Sequence, residues 1–508
     1  MEQTKSTTDF QQRLSFGVPG MDYILGGGLP GGHLYLIEGD PGTGKTTMAL
    51  QFLLEGLSKG EAGLYVTMSE SKAELHAVAR SHGWNLDNLP IFEMSPDDTL
   101  DPEAQYTVFH PSEVEFSDAI TSVLKQVDAS TPKRVVFDPL SELRLLARDP
   151  LRYRRQILGL KRYFAALDCT VLMLDDHMAN GADLQLQSIA HGVLILESLE
   201  RDYGTKRRRI EVRKLRGSVY HEGFHDFTIN TGGVIVTPRL IAAEHKPGFQ
   251  AHRLSSGLKE LDDLLGGGLD AGTSTLLMGP AGGGKSTLAI RYALAAAERG
   301  ETSLVLAFDE SLATMTQRFR SLGMALDSYI DEGKIHLRQI DPAELSPGQL
   351  VNLVRDAVRD LNISVLIIDS VNGLLASMPN EKFLSLQLHE LLTYLGQHGI
   401  ATLFTLAQHG IVGVDMVSPI DVSYLADTVI LCRYFEFLGE IRKAISVVKK
   451  RAGSHELSIR ELILRDGQMR VGQPLSQFRG ILTGSPKFTG SQADLVRGED
   501  DESPSAAF

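Results

Sequence analysis

The sequence predicts an α/β protein built from two copies of one domain, each a mainly parallel sheet flanked by helices. Three observations carry that reading. A set of glycines and charged residues recurs at a fixed offset. Short apolar runs alternate with helical stretches. A glycine-rich turn ending in Gly-Lys-Thr or Gly-Lys-Ser follows the first long apolar run of each copy.

The repeat is the firmest of the three. Gly26-Gly27-Gly28 recurs as Gly266-Gly267-Gly268, an offset of 240 (266 − 26). The same offset carries Arg13-Leu14-Ser15 onto Arg253-Leu254-Ser255, Lys45 onto Lys285, and Glu70-Ser71 onto Glu310-Ser311. Stacked solenoid repeats have periods of about 20–50 residues, so a period this long makes each copy a whole domain. The expected organisation is an N-terminal domain over 1–245, a C-terminal domain over 246–475 and a tail over 476–508. A polar connector, Ala242 to His252, contains Lys246-Pro247-Gly248. The tail is rich in Gly, Ser and acid, including Gly498-Glu499-Asp500-Asp501-Glu502, and is expected to be partly disordered.

The elements follow in order. In the first copy the apolar runs are Leu34–Glu38, Leu64–Met68, Val135–Phe137, Val171–Leu174 and Val193–Leu196. In the second they are Thr275–Met278, Leu304–Phe308, Val365–Ile368, Thr402–Leu406 and Thr428–Leu431. Short, nearly continuous runs suit parallel strands covered by helices on both faces. After the fifth run each copy changes character, and Arg207 to Lys214 and Ile441 to Lys450 read as extra strands extending the sheet.

Composition narrows the function classes. Of 508 residues, 43% are hydrophobic and 22% charged, which is ordinary for a globular chain and enough for two large cores. Lys plus Arg is 50 and Asp plus Glu is 64, a net charge of −14, which opposes general binding to a phosphate backbone. Two cysteines, Cys169 and Cys432, exclude a disulfide framework and a cysteine zinc site, and suit a reducing cytoplasm. The histidines are scattered and form no metal cluster. Met1 to Asp9 is polar with no signal-like core, and no run reaches the ~18 apolar residues of a membrane span.

Each first run ends in a phosphate loop, Gly39-Asp-Pro-Gly42-Thr43-Gly44-Lys45-Thr46 and Gly279-Pro-Ala-Gly282-Gly283-Gly284-Lys285-Ser286, followed by Thr47 and Thr287. Glycines let backbone N–H groups wrap phosphates, and the following helix adds the positive end of its dipole. The lysine reaches the β- and γ-phosphates, and the hydroxyl of Thr46 or Ser286 is placed to ligate Mg²⁺. A carboxylate at a neighbouring strand end should help hold that metal through water; Asp138 and Asp369 end suitable runs. Pro139 follows Asp138 whereas Ser370 follows Asp369, and proline admits a cis bond more readily, so the two sites need not work alike. Candidate bases are Glu70, and the pair Asp309-Glu310, at the ends of the equivalent second strands. Candidate cationic fingers for a neighbouring subunit's γ-phosphate are Lys214 with Arg216, and Lys449 with Arg451. The alternative for these basic residues is a solvated edge strand on which lysine blocks aggregation.

Together these residues resemble the KaiC family, the tandem RecA-like P-loop ATPases of the circadian clock. The likeness runs from Arg13 to about Pro486. It also takes in Gly17-Val-Pro-Gly20-Met-Asp22, Lys214-Leu-Arg216-Gly217, Ala426-Asp427-Thr428 and Gly484-Ser485-Pro486. The resemblance implies an ATP- and Mg²⁺-dependent homohexamer of two stacked rings with nucleotide at subunit interfaces. It implies slow hydrolysis in the N-terminal ring, and a C-terminal ring that is both autokinase and autophosphatase. The clock members' Ser/Thr phosphosite pair falls on Ser423 and Tyr424, and their paired catalytic glutamates on Ser69-Glu70 and Asp309-Glu310, with Asp309 at the position of the proposed base. Ser69 is no carboxylate, which leaves Glu70 alone in the first copy. Tyr424 replaces a threonine with a longer phenol, which leaves Ser423 as the expected acceptor. The tail departs from the segment that clock members use to engage KaiA. A KaiB-like or other signalling protein is the expected class of partner. Two other readings compete: a protein switch or scaffold that hydrolyses ATP without kinase activity, and a RecA-like recombinase or helicase, which the acidic balance opposes.

Overall fold

The computed structural model describes residues 12–94, 111–147, 149–176, 184–200, 204–245, 248–341, 343–376, 381–408, 423–465, 467–483 and 485–490. Met1 to Asp9, Lys246-Pro247, Gly484 and the acidic run Gly498 to Glu502 lie outside them. The chain divides into two compact units between Arg239 and Leu240.

Each unit is built on one nine-stranded sheet with the same strand order. In the N-terminal unit six parallel strands run Gly192–Leu199, Leu34–Gly39, Thr170–Asp175, Arg134–Asp138, Gly63–Thr67 and Ile91–Glu93 across the sheet. Three antiparallel strands, Arg207–Leu215, Phe224–Asn230 and Gly233–Thr237, extend it beyond Gly192–Leu199. The C-terminal unit repeats this with parallel strands Thr428–Phe437, Ser274–Gly279, Ala401–Ala407, Ile363–Asp369, Thr302–Ala307 and Ile335–Gln339. Its antiparallel strands are Glu440–Lys450, Arg460–Arg465 and Gln468–Pro474. Duplicated strand order confirms tandem domains of mainly parallel sheet.

Strand periodicity assigns the two faces. Tyr35 and Ile37 point to one side, onto Met48, Phe52 and Leu53 of the helix Lys45–Ser58. Leu34 and Leu36 point to the other, onto the group that includes Leu143, Ile157, Leu160 and Phe164 of the helices Leu140–Ala147 and Pro150–Ala166. In the C-terminal unit the helix Lys285–Glu298 and the helices Pro347–Leu361 and Glu381–Gln397 take the same two roles. Fully burying one such aliphatic or aromatic side chain contributes about 1.5–3 kcal/mol, so a sheet covered on both faces fixes the strand register firmly.

Local chemistry sets the helix ends nearest the site. Ser71 caps the helix Lys72–Ser81, accepting from Glu74 N while Glu74 closes the capping box. Ser311 caps Leu312–Ser321 in the same place of the second unit. The glycine triplets make the turn before each sheet: Gly27 N and Gly28 N both donate to Asp22 O, as Gly267 N and Gly268 N do to Asp262 O. A Cβ on Gly28 would stand 2.5 Å from Leu14 O, and one on Gly268 2.5 Å from Leu254 O, so only glycine closes these turns.

Arg207–Leu215 and Glu440–Lys450 each have a strand on both sides over part of their length. The register with the outer neighbour covers Arg208 to Glu211 in one and Ala444 to Ile445 in the other, so the stretches that carry Lys214 and Lys449 pair on one side only, and the edge reading of these lysines stands beside the finger reading. The outermost parallel strands, Ile91–Glu93 and Ile335–Gln339, show no continuous apolar run because they bury none and one of their residues respectively.

Candidate functional site

Both phosphate loops leave the central strand of the sheet and enter a helix, the setting the motif requires. Gly44 and Gly284 are the N-caps, with φ of 104° and 100°. A Cβ on Gly44 would meet Ile229 Cδ1 at 2.6 Å, and one on Gly284 would meet Leu462 at 3.0 Å. Gly42, Thr43, Gly282 and Gly283 complete the loops, and Thr46, Thr47, Ser286 and Thr287 occupy the first helical turns. Thr43 Oγ1 donates to Asp40 O at 2.8 Å and stiffens the first loop. Beside the second loop lies a cavity of about 440 Å³ lined by Gly282, Gly284, Lys285, Ser286, Thr287 and Lys443 among others. A glycine cradle, an ammonium and a helix N-terminus around such a space fit a nucleotide polyphosphate.

The lysines are held differently. Lys45 Nζ donates to Gly39 O and to Asp40 O, and pairs with Asp176 Oδ1 at 2.9 Å. Lys285 Nζ donates only to carbonyls among the described residues, Gly279 O at 3.0 Å and Pro280 O at 2.7 Å. Burial lowers the Lys285 pKa.

In the N-terminal unit Asp138 reaches the loop. Thr46 Oγ1 donates to Asp138 Oδ2 at 2.8 Å, and Tyr65 OH donates to the same oxygen. Burial raises the Asp138 pKa despite both bonds. A hydroxyl and a carboxylate joined at the loop's helix are the donor pair a magnesium ion would use, directly and through water. Glu70 stands just beyond the strand Gly63–Thr67, half-buried, and its Oε2 is buried with no hydrogen-bond partner. Burial raises its pKa, with Asp138 and then Glu74 adding to the effect.

The C-terminal unit engages its carboxylates instead. Asp309 accepts from Ser370 Oγ, Asp369 accepts from Thr405 Oγ1, and Glu310 takes both Nε and Nη2 of Arg318, the latter at 2.7 Å. The peptide bonds Asp138-Pro139 and Asp369-Ser370 are both cis, so proline does not distinguish the two sites in that respect. What distinguishes them is the hydroxyl: Ser370 reaches Asp309, and Pro139 has none to offer.

The basic pairs sit away from their own loops. Lys214 pairs in register with Val193, three residues before Leu196, which lies beside Gly39. At about 3.3 Å per residue that is about 10 Å along the sheet. Lys214 Nζ donates to Gln187 O, and Arg216 Nη2 donates to Ser188 O at 2.9 Å. Burial lowers the Lys214 pKa, with Arg216 and Lys161 adding to it. Lys449 Nζ donates to Ser423 O at 2.9 Å, and Arg451 reaches Tyr424 O at 2.6 Å and Asp427 Oδ1 at 3.1 Å. The fold therefore gathers Ser423, Tyr424, Lys449 and Arg451 into one cluster. Tyr424 is 53% exposed.

Sequence reasoning missed Tyr65, Asp176, Arg318 and Lys443. The doublet Asp175-Asp176 at the end of an apolar run was a readable signal. Tyr65 and Lys443 were hidden in strands whose apolar neighbours set the pattern. Among the described residues no group of His, Cys, Asp and Glu forms a metal cluster, and no helix is long and apolar enough to cross a membrane.

Duplicated parallel sheets, each with a glycine cradle, a buried lysine and a hydroxyl at the helix start, define a tandem RecA-like P-loop ATPase. The family model described as "ATPase: KaiC" matches twice, over residues 14–241 and 254–476, and the chain belongs to that family. It is 27% identical to the circadian clock protein KaiC3 of Synechocystis sp., over 96% of this chain and 97% of the relative. It is 28% identical to the circadian clock oscillator protein KaiC of Picosynechococcus sp., over 94% and 92%. With the KaiC of Synechococcus elongatus the figures are 27%, 96% and 95%.

Proposed function

We propose that this chain binds and hydrolyses ATP as a homohexamer of two stacked rings, and that its C-terminal ring autophosphorylates and dephosphorylates Ser423. The single observation that best supports this is the cluster of Ser423 with Lys449 and Arg451, about 10 Å along the sheet from the chain's own phosphate loop. An acceptor and two cations so displaced suit the ATP of a neighbouring copy, with nucleotide between subunits.

The roles follow from position. Backbone N–H groups of Gly282 to Lys285 and the Lys285 ammonium bind and orient the polyphosphate. Ser286, with Asp369 behind it, would hold Mg²⁺ there, and Thr46 with Asp138 would do so in the N-terminal ring; when bound, the ion offsets charge on the phosphate oxygens. Asp309 takes the proton from the neighbouring copy's Ser423 hydroxyl, and Glu310 is oriented by Arg318. In the N-terminal ring Glu70 orients water. The chain acts in signalling or circadian-type timing in the cytoplasm, and a KaiB-like or other signalling protein reads its state.

A second reading has its own observation. Asp309 is engaged by Ser370, and Glu310 by Arg318, which favours an ATP-driven switch without kinase activity. Incubation of the full chain with γ-labelled ATP and Mg²⁺ separates them. Label on the protein that Ser423→Ala abolishes supports the kinase; hydrolysis with no incorporated phosphate supports the switch. Persistent C-terminal labelling in Ser423→Ala refutes the site.

A further inference from the structure

The N-terminal unit rebuilds, with different residues, the cluster around Ser423. His191 N donates to Leu34 O and Arg216 N donates to His191 O; Asp427 N donates to Ser274 O and Arg451 N donates to Asp427 O. These bonds align His191 with Asp427, and therefore Gln187-Ser188 with Ser423-Tyr424. The cations match as well. Lys214 and Lys449 hold the first carbonyl of each pair, and Arg216 and Arg451 hold the second. A serine thus stands in both clusters, first of the pair in one and second in the other.

The N-terminal cluster is the more positive. Lys161 Nζ donates to Ile189 O at 2.6 Å, and Arg154 Nη1 lies 3.4 Å from Ser188 Oγ. Four cationic groups therefore surround Ser188. Among the described residues no carboxylate forms an ion pair with Lys161, Lys214 or Arg216, in a chain of net charge −14. Arg451 has Asp427 as a counter-charge, whereas Arg216 has His191 in that place. Ser188 is exposed.

We propose that Ser188 is a phosphorylation site of the N-terminal ring, its phosphate supplied by ATP on a neighbouring copy. The inference rests on the reading above that copies of this chain meet with nucleotide between them. Ser188 Oγ forms a bond to the γ-phosphorus while the bond from that phosphorus to the β,γ-bridging oxygen breaks. ADP leaves with that electron pair, and the serine proton passes to the Glu70 carboxylate of the neighbouring copy. The product carries about −1.5 to −2 charges and three acceptor oxygens, which Arg154 and Arg216 are placed to bind and the two lysines to neutralise.

The full-length protein is incubated with Mg²⁺ and γ-labelled ATP, denatured, and mapped by site-resolved mass spectrometry. Phosphate is expected on Ser188 in the wild type and in Ser423→Ala, and not in Ser188→Ala. Glu70→Gln should lower Ser188 occupancy at least ~10-fold. Ser423 labelled with Ser188 empty overturns this inference alone, as does Ser188 labelling that Glu70→Gln does not alter. Ser188 labelled with Ser423 empty overturns the C-terminal assignment and upholds this one. Phosphate that washes away on denaturation, leaving both serines empty, overturns both.

Discussion

Glu70→Gln separates a catalytic from a structural carboxylate, because the two roles predict opposite signs. Glu70 is the one strand-end carboxylate at its position: Ser69 precedes it, and Asp138 is already bonded to Thr46 and Tyr65. Among the described residues Asp138 and Asp176 are each engaged at the loop, by Thr46 with Tyr65 and by Lys45, so the loss should approach that of a removed general base, ~10²–10⁴-fold. At 1.36 kcal/mol per tenfold that is about 3–5 kcal/mol of barrier. Stability should move the other way. Burial and Asp138 raise the folded-state pKa above its ordinary 4.5, so this group stabilises the fold below that pH. That contribution is lost as pH rises through the folded value. At neutral pH the buried, partnerless Oε2 is a liability, which the neutral amide lessens. Single-turnover hydrolysis is measured for Glu70→Gln with the C-terminal site silenced by Lys285→Ala, beside a thermal melt at pH 7. The expected result is a rate down ~10²-fold or more with Tm unchanged or higher. The wild-type rate should fall as pH drops through the raised pKa. A rate within about 3-fold of the parent, less than ~0.7 kcal/mol, would refute the assignment, and a lost rate with a lowered Tm would mark Glu70 as a structural cap.

Two further predictions use the asymmetry of the sites. Lys285→Ala should end phosphotransfer to Ser423, since two charge-assisted bonds at ~1.5–3 kcal/mol each amount to at least ~10²-fold; Lys45→Ala should chiefly weaken ATP-dependent assembly. Light scattering with and without ATP checks the second, and an unchanged hexamer in Lys45→Ala counts against it. Burial, with His33 beside it, pushes the His191 pKa from 6.5 down to about 4. The unfolded chain therefore takes up this proton first, and stability is lost as pH falls from about 6.5 toward 4. Wild type should lose Tm relative to His191→Gln over that window, and parallel melting curves would sink the claim.

The fold was legible because its signals were redundant. The phosphate-loop strands Leu34–Gly39 and Ser274–Gly279 each contain a short apolar run, repeated at one offset, and lead into a glycine-rich turn. Lys45, Lys285, Asp138 and Asp369 could be placed by motif and strand end. Strands such as Phe224–Asn230 and Arg460–Arg465 could not, because each buries few of its residues and shows no run. Nor could partners set by long-range register: nothing in Tyr65 announces a bond to Asp138, 73 positions away. Ser188 carries no motif at all; only the fold marks it, by placing its carbonyl under Arg216 as that of Tyr424 lies under Arg451.

The two units share a backbone and differ in what fills the floor of the site, and that difference supplies a physical reason for the proposed division of labour. At equivalent positions beside the loops the N-terminal unit has Glu38, Asp175 and Asp176 where the C-terminal unit has Met278, Leu406 and Ala407. Each of the three acids is tied to a different element. Glu38 accepts from Gln187 Nε2 at 2.7 Å, Asp175 pairs with Arg144, and Asp176 pairs with Lys45. Gln187 is itself held by Lys214. A change at the first phosphate loop that draws Lys45 from Asp176 is therefore felt through charged, directional contacts, which have discrete partners to lose. Glu38 and Gln187 in turn link the strand that enters this loop to the basic pair Lys214 and Arg216. The apolar floor of the second site transmits no such signal, and its carboxylates are engaged locally by Ser370, Thr405 and Arg318. Charged side chains bridging loop and basic pair suit a ring whose ATP governs contacts between subunits. Locally held carboxylates suit a ring whose chemistry is confined to one acceptor.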